Sequence, residues 1–207
     1  MQLLRRAPWD LLSCSGLAVS FLVARVWYSG DRHFSFLVFN LVLAWIPFAA
    51  STWLDRPRGW WQVPLSLVWL AFFPNAPYLV PDLIHLRPRT GVPHWFDIAM
   101  LSAFAWCGMV LAVRSLSRLE GWVTTRHGPV AGWLFITGIS LVTGAGIYLG
   151  RFLRLNSWEL FTRPGRVFTS LGHVAPVQAV GVSLAFGALV WMGYVTFGRC
   201  CREPEVV

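Results

Sequence analysis

The chain has 207 residues, 56% of them hydrophobic and 13% charged, with 13 Trp and 15 Phe. Soluble domains carry about 25% charged residues, so this composition excludes an ordinary water-soluble domain and places the chain in the membrane class. The net charge is +8, but every basic residue other than His is Arg. These Arg fall mainly between apolar runs, as at membrane flanks, and form no clustered patch of the kind that would make nucleic acid a partner.

Six apolar runs follow in chain order, at 11–28, 34–54, 61–80, 95–116, 130–153 and 174–197. Each is near the ~20 residues a helix needs to cross a bilayer. Arg5 and Arg6 ahead of the first run imitate a signal peptide, but no small-residue cleavage site follows, and the run reads as a retained span. With six spans both termini share a side. Nine Arg then fall on that side and eight on the other, so the positive-inside rule does not separate them. Arg5 and Arg6 favour termini inside, because the first helix usually dominates. Cys14 and Cys107 lie within apolar runs, and Cys200 and Cys201 flank the last. No Cys-x-x-Cys is present, so no zinc or thioredoxin signal exists.

The third run ends in an unusual segment. Residues 72–86 place Pro74, Pro77 and Pro81 with Asn75, Tyr78, Asp82 and His85 where lipid is expected. Polar, helix-breaking residues at that depth are costly unless protein or a water-filled cavity covers them. Asn75, Tyr78, Asp82, His85 and Arg89 recur at helical spacing, which stacks them on one face of a helix. The prolines predict a break near Phe73. A half-helix, an unwound turn and an interfacial helix is the expected form. A simple proline kink, with Asn75 satisfying freed backbone groups, is the alternative.

Asp82-x-x-His85 and His94-x-x-Asp97 are two Asp/His pairs at one-turn spacing, a set that can hold a divalent metal. The spacing is common, however, and a turn separates the pairs. Asp97 also stands where it can cap the fourth span. No metal is therefore expected. No cofactor is expected either, since His33, His85, His94, His127 and His173 sit at span ends rather than facing one another.

The second unusual stretch closes the fifth run. Gly146-x-x-x-Gly150 allows close backbone approach, as Gly181, Ser183, Gly187 and Gly193 do in the sixth run. Spans five and six are thus expected to offer a helix-packing surface. Tyr148 and Arg151 lie one turn apart, with Arg154 beyond. Asn156 and Glu159 have capping-box spacing, and Trp158 suits a short interfacial helix in the loop to the sixth span.

Parity puts the end of span three, the start of span four and the end of span five on one membrane face. Asn75, Tyr78, Asp82, His85, Asp97, Tyr148, Arg151, Arg154, Asn156, Trp158 and Glu159 are the candidate ligand-binding residues on that face, with Arg25 near them. Arg151 is expected to pair with Asp82 or Asp97, since a partly buried charge favours a partner. Arg154 is then left facing a ligand.

These motifs resemble the bacterial domain-of-unknown-function 1361 family of small multi-pass membrane proteins. The resemblance rests on Pro74 to Tyr78, on Asp82 to Leu86 and on Gly150 to Trp158, and covers most of residues 40–195. Pro81 departs from the family, where a hydroxyl residue is commoner. The resemblance implies a membrane protein with a shared site and carries no established activity.

The expected fold is an all-α integral membrane protein in one domain over residues 1–207. It has six transmembrane helices, a proline-broken third span and a short interfacial helix between spans five and six. The expected location is the bacterial inner or plasma membrane. Surplus Arg around the face favours a small anionic molecule or a lipid headgroup as ligand, bound or transported. One rival is a membrane enzyme acting on a lipid-linked or phosphate-containing substrate, with His85 as general base and Asp82 and Asp97 as further catalytic candidates. Another is a structural subunit or assembly factor.

Overall fold

The computed structural model describes residues 8–54, 59–87, 91–172 and 174–198. Arg5, Arg6, Arg56, Arg58, Arg89, His173, Arg199, Cys200, Cys201 and Arg202 lie outside the described residues. Among those described, every regular element is helical. They are α1 (Trp9–Ser29), α2 (Phe36–Leu54), α3 (Gln62–Phe72), α4 (Asn75–Tyr78), α5 (His94–His127), α6 (Pro129–Phe152), α7 (Glu159–Thr162), α8 (Pro164–Leu171) and α9 (Pro176–Gly193). Single 3-10 turns cover His33–Ser35 and Pro81–His85, and a π turn over Tyr194–Gly198 extends α9. Five of these segments are long and apolar enough to cross a membrane: Trp9–Ser29, His33–Leu54, His94–His127, Pro129–Phe152 and Pro176–Gly198.

Local chemistry sets the helix ends. α1 stops at Gly30, whose left-handed φ of 70° lets its N–H reach Val26 O, the usual glycine stop. α5 gives way to α6 at Gly128, with φ 85°, followed by Pro129 at the first helical position. The fourth apolar run ends at 116, yet α5 continues to His127. No proline and no left-handed glycine interrupts it before Gly128. At 1.5 Å per residue it is about 51 Å long, well beyond a ~30 Å hydrocarbon layer.

α5 is the central helix. It packs on α1, α2, α4, α6 and α9, and it buries Met100, Leu101, Phe104, Leu111 and Leu116. Lipid tails are as apolar as Leu, so close packing and internal hydrogen bonds hold such helices together, rather than expulsion of water. A buried relay supplies such bonds: Trp69 Nε1 donates to Ser115 Oγ (2.8 Å), and Ser115 Oγ to Pro47 O (3.0 Å). It ties α3 to α5 and α5 to α2.

The closest helix seam joins α6 and α9. A Cβ on Gly144 would meet Ser183 O at 1.9 Å, and one on Gly187 would meet Ser140 O at 2.9 Å. Of the small residues singled out in the sixth run, Ser183 and Gly187 form this seam, and Gly181 has no neighbour within 4 Å. Gly146 and Gly150 face a different partner, the segment after α3.

That segment positions the site. Regular α-helix ends at Phe72, a turn carries Phe73 and Pro74, and α4 and the Pro81–His85 turn follow. Phe73, Ala76 and Leu79 are buried, and α4 packs on α2 and α5. The chain therefore folds its polar residues over one end of the bundle. Hydrogen bonds gather there from Arg25 late in α1, Asn40 early in α2, Asp97 early in α5 and Arg151 late in α6. Asp10 at the start of α1 pairs with Arg114 farther along α5.

Candidate functional site

The two motif stretches touch. Pro74 packs on Gly146, where an added Cβ would lie 2.6 Å from Pro74 Cγ, and Tyr78 packs on Gly150, where it would lie 3.0 Å from Tyr78 Cε2. The glycines of α6 thus receive the rings of the segment after α3. Asn75 Nδ2 adds two bonds, to Phe72 O (3.0 Å) and to Ser157 Oγ (2.8 Å). The first satisfies a carbonyl at the helix end, and the second fastens the turn to the loop after α6.

Between these stretches and α2 lies a cavity of about 200 Å³. Its polar lining is Asn75, Tyr78, Asp82, His85, Arg151 and Asn156, all singled out from the sequence. α2 adds Phe36, Phe39, Asn40 and Leu43. Asp82 is 1% exposed. It accepts a hydrogen bond from Asn40 Nδ2 at 2.8 Å, and Arg151 Nη1 approaches its Oδ1 at 3.5 Å. Burial pushes the Asp82 carboxyl up, while the Asn40 bond and the Arg151 and His85 side chains pull it down.

His85 Nδ1 lies 3.1 Å from Asp82 O. A carbonyl can only accept, so this contact requires the proton on Nδ1. The ring also packs on Phe36, 5.1 Å between centroids. The Arg151 side chain is 22% exposed and its contact to Asp82 is long, since charged N–H···O bonds are commonly about 2.7–2.9 Å. Arg151 also interacts with the Tyr78 hydroxyl, and its side chain lines the cavity.

The other predicted residues do not line this cavity. Asp97 pairs with Arg25, whose Nε donates to Oδ1 at 2.7 Å, and both side chains are 1% exposed. Arg25 also reaches Asp31 O and Oδ2 and lies 4.6 Å over the Phe34 ring. This buried cluster locks α1 to α5, and Asp97 makes no side-chain cap. Tyr148 stacks on Phe152 (5.1 Å), and its hydroxyl accepts from Ala175 N (3.2 Å), tying the start of α9 to α6. Trp158 meets Phe39 edge-on at 5.7 Å.

Arg154 is exposed and has φ 54°. Glu159 Oε2 accepts from Asn156 N at 2.8 Å, and Oε1 pairs with Arg166. The Asn156 N–H, with Arg166 assisting, holds the Glu159 carboxyl below the usual glutamate range. With Asp97 and Asp82 so engaged, the two Asp/His pairs do not converge. Among the described residues no group of three or more His, Cys, Asp and Glu is placed to hold a metal.

Residues 39–192, spanning both motif stretches and the pocket, match the family described as "Protein of unknown function (DUF1361)". The chain belongs to this family. No curated protein and no solved structure matches it. In this DUF1361 chain the residue that sequence reasoning missed is Asn40. It is the one Asn inside the second apolar run, and a polar residue at such depth was itself the available signal.

Proposed function

We propose that this chain is a multi-pass membrane protein that binds an anionic group in the pocket between α2, the 75–85 segment and the end of α6. The observation that carries this reading is Arg151. Its guanidinium lines the cavity beside Asp82, at 3.5 Å, and the Tyr78 hydroxyl, and has the fork geometry suited to phosphate or carboxylate. Asp82 lies deeper, so an arriving anion meets Arg151 and His85 first. The chain crosses the bilayer six times in this reading, with α3 and α4 together making a broken third crossing, α7 and α8 lying at the interface, and the bacterial inner membrane as its place.

Two measurements test this. Thermal-shift titration of the full chain in detergent, with soluble phosphates, carboxylates and anionic lipids, should show anion-dependent stabilisation that Arg151→Gln removes. The idea fails if no anion has an effect. Single cysteines at 94 and 163 should label from the side opposite a cysteine at 125, and labelling of all three from one side would end the six-crossing topology.

A second reading is an enzyme acting on a lipid-linked or phosphate-containing substrate. His85 favours it, because Nδ1 is committed to Asp82 O and Nε2 remains able to take a proton beside the bound anion.

A further inference from the structure

The pocket has two unlike walls. One carries Asp82, His85, Arg151 and Asn156. The other is a stripe of α2, Phe36, Phe39, Asn40 and Leu43, whose spacing of three, four and seven puts them on one helix face. Phe39 is 53% exposed, and Val42 next to the stripe is 57% exposed. The stripe starts just after Arg32 and His33 and descends seven residues to Leu43, about 10 Å along the helix. The apolar wall therefore runs from the polar end of the bundle down into the crossing segment.

α2 packs on α3, α4 and α5, while α6 packs on α5 and α9. The Trp158 ring on Phe39 bridges from the loop after α6 to α2 at this level. A free, fully hydrated anion gains little from Phe39 and Leu43, since it has no apolar part to place against them. An amphiphile would lay its chain there. About 200 Å³ also suits a headgroup rather than a whole lipid, because pockets for drug-sized molecules begin near ~300 Å³.

Resting on the anion-binding reading above, we infer that the pocket takes the phosphate-type headgroup of an anionic lipid, admitted sideways from the bilayer between α2 and the end of α6. The headgroup meets Arg151, 22% exposed, and His85, 33% exposed, with Asp82 beneath at 1%. The acyl chain remains outside, along Phe39 and Leu43.

The test uses the full chain in nanodiscs of phosphatidylcholine, with phosphatidic acid as the lipid probe and glycerol 3-phosphate as the soluble one. Binding is read by native mass spectrometry and by thermal shift. Phosphatidic acid should bind roughly tenfold or more tightly than glycerol 3-phosphate, and Arg151→Gln should lose about that factor, as expected of a charge-assisted pair. Phe39→Trp and Leu43→Trp, which crowd the lateral opening, should weaken phosphatidic acid several-fold more than they weaken glycerol 3-phosphate. If Arg151→Gln does not fold, Arg151→Lys, which keeps the charge and loses the fork, should show an intermediate loss.

Equal, Arg151-dependent binding of both probes would overturn lateral lipid entry and leave the anion pocket standing. Phosphatidic acid binding that ignores Arg151 would mean lipid around the protein rather than in the pocket. Absence of binding by either probe would overturn both this inference and the reading beneath it.

Discussion

Arg25 and Asp97 form a buried ion pair, 2.7 Å from Nε to Oδ1, with both side chains 1% exposed. Removing one member of such a pair strands the other charge, which typically costs about 3–5 kcal/mol. Arg25→Met alone should therefore lower the melting temperature in detergent more than Arg25→Met with Asp97→Leu. Losses that simply add would contradict the pairing.

Pro74 lies against Gly146 with no room for a methyl group. Gly146→Ala should destabilise the protein by about 1–3 kcal/mol, the usual range for overpacking. Gly16, where an added Cβ would meet nothing within 4 Å, serves as control, and Gly16→Ala should be neutral or mildly stabilising. Thermal melts of the two variants side by side decide the point.

Asn75 satisfies a helix-end carbonyl and holds Ser157. Asn75→Ala should cost about 1–3 kcal/mol by leaving partly buried groups unpaired. Ser157→Ala, which removes only the second bond, should cost about 0.5–1.5 kcal/mol. Equal losses for the two would show that the Phe72 carbonyl does not need its partner.

Glu159 has its carboxyl held below the usual range, first by the Asn156 N–H and then by Arg166. A lowered folded pKa means that the ionised form is the stabilised one. Its contribution is complete above the unfolded glutamate value of about 4.3 and disappears as pH falls through the lower folded value. Protease cleavage within 153–172 should thus stay constant at neutral and mildly acid pH and rise below about pH 4. Glu159→Gln should raise cleavage at neutral pH and flatten the profile.

Much of this arrangement was readable from residues alone. Apolar run lengths outlined the five segments long and apolar enough to cross a membrane, and Asn75, Tyr78, Asp82 and His85 from the third run line one cavity with Arg151 and Asn156 from the end of the fifth. The partnerships were harder. Periodicity says which face of a helix is special but not which helix meets it, so Asp97 drew attention beside Arg151 while Arg25 lies against it. Asn40 was overlooked because one amide barely alters the hydropathy of a run. The end of the fourth run at 116 marked a change in polarity, and helix continues wherever nothing breaks it, to His127.

Arg154 combines an exposed side chain with a left-handed backbone, the only positive φ outside glycine among the described residues. That geometry costs an ordinary residue about 1 kcal/mol or more, a cost glycine would not incur. Arg154→Gly should therefore raise the melting temperature. On the anion-binding reading proposed above, it should also slow the capture of anionic ligands and flatten the dependence of the association rate on ionic strength, because an exposed charge acts on encounter more than on residence. At this position the chain carries a backbone cost on an exposed arginine that a glycine would avoid.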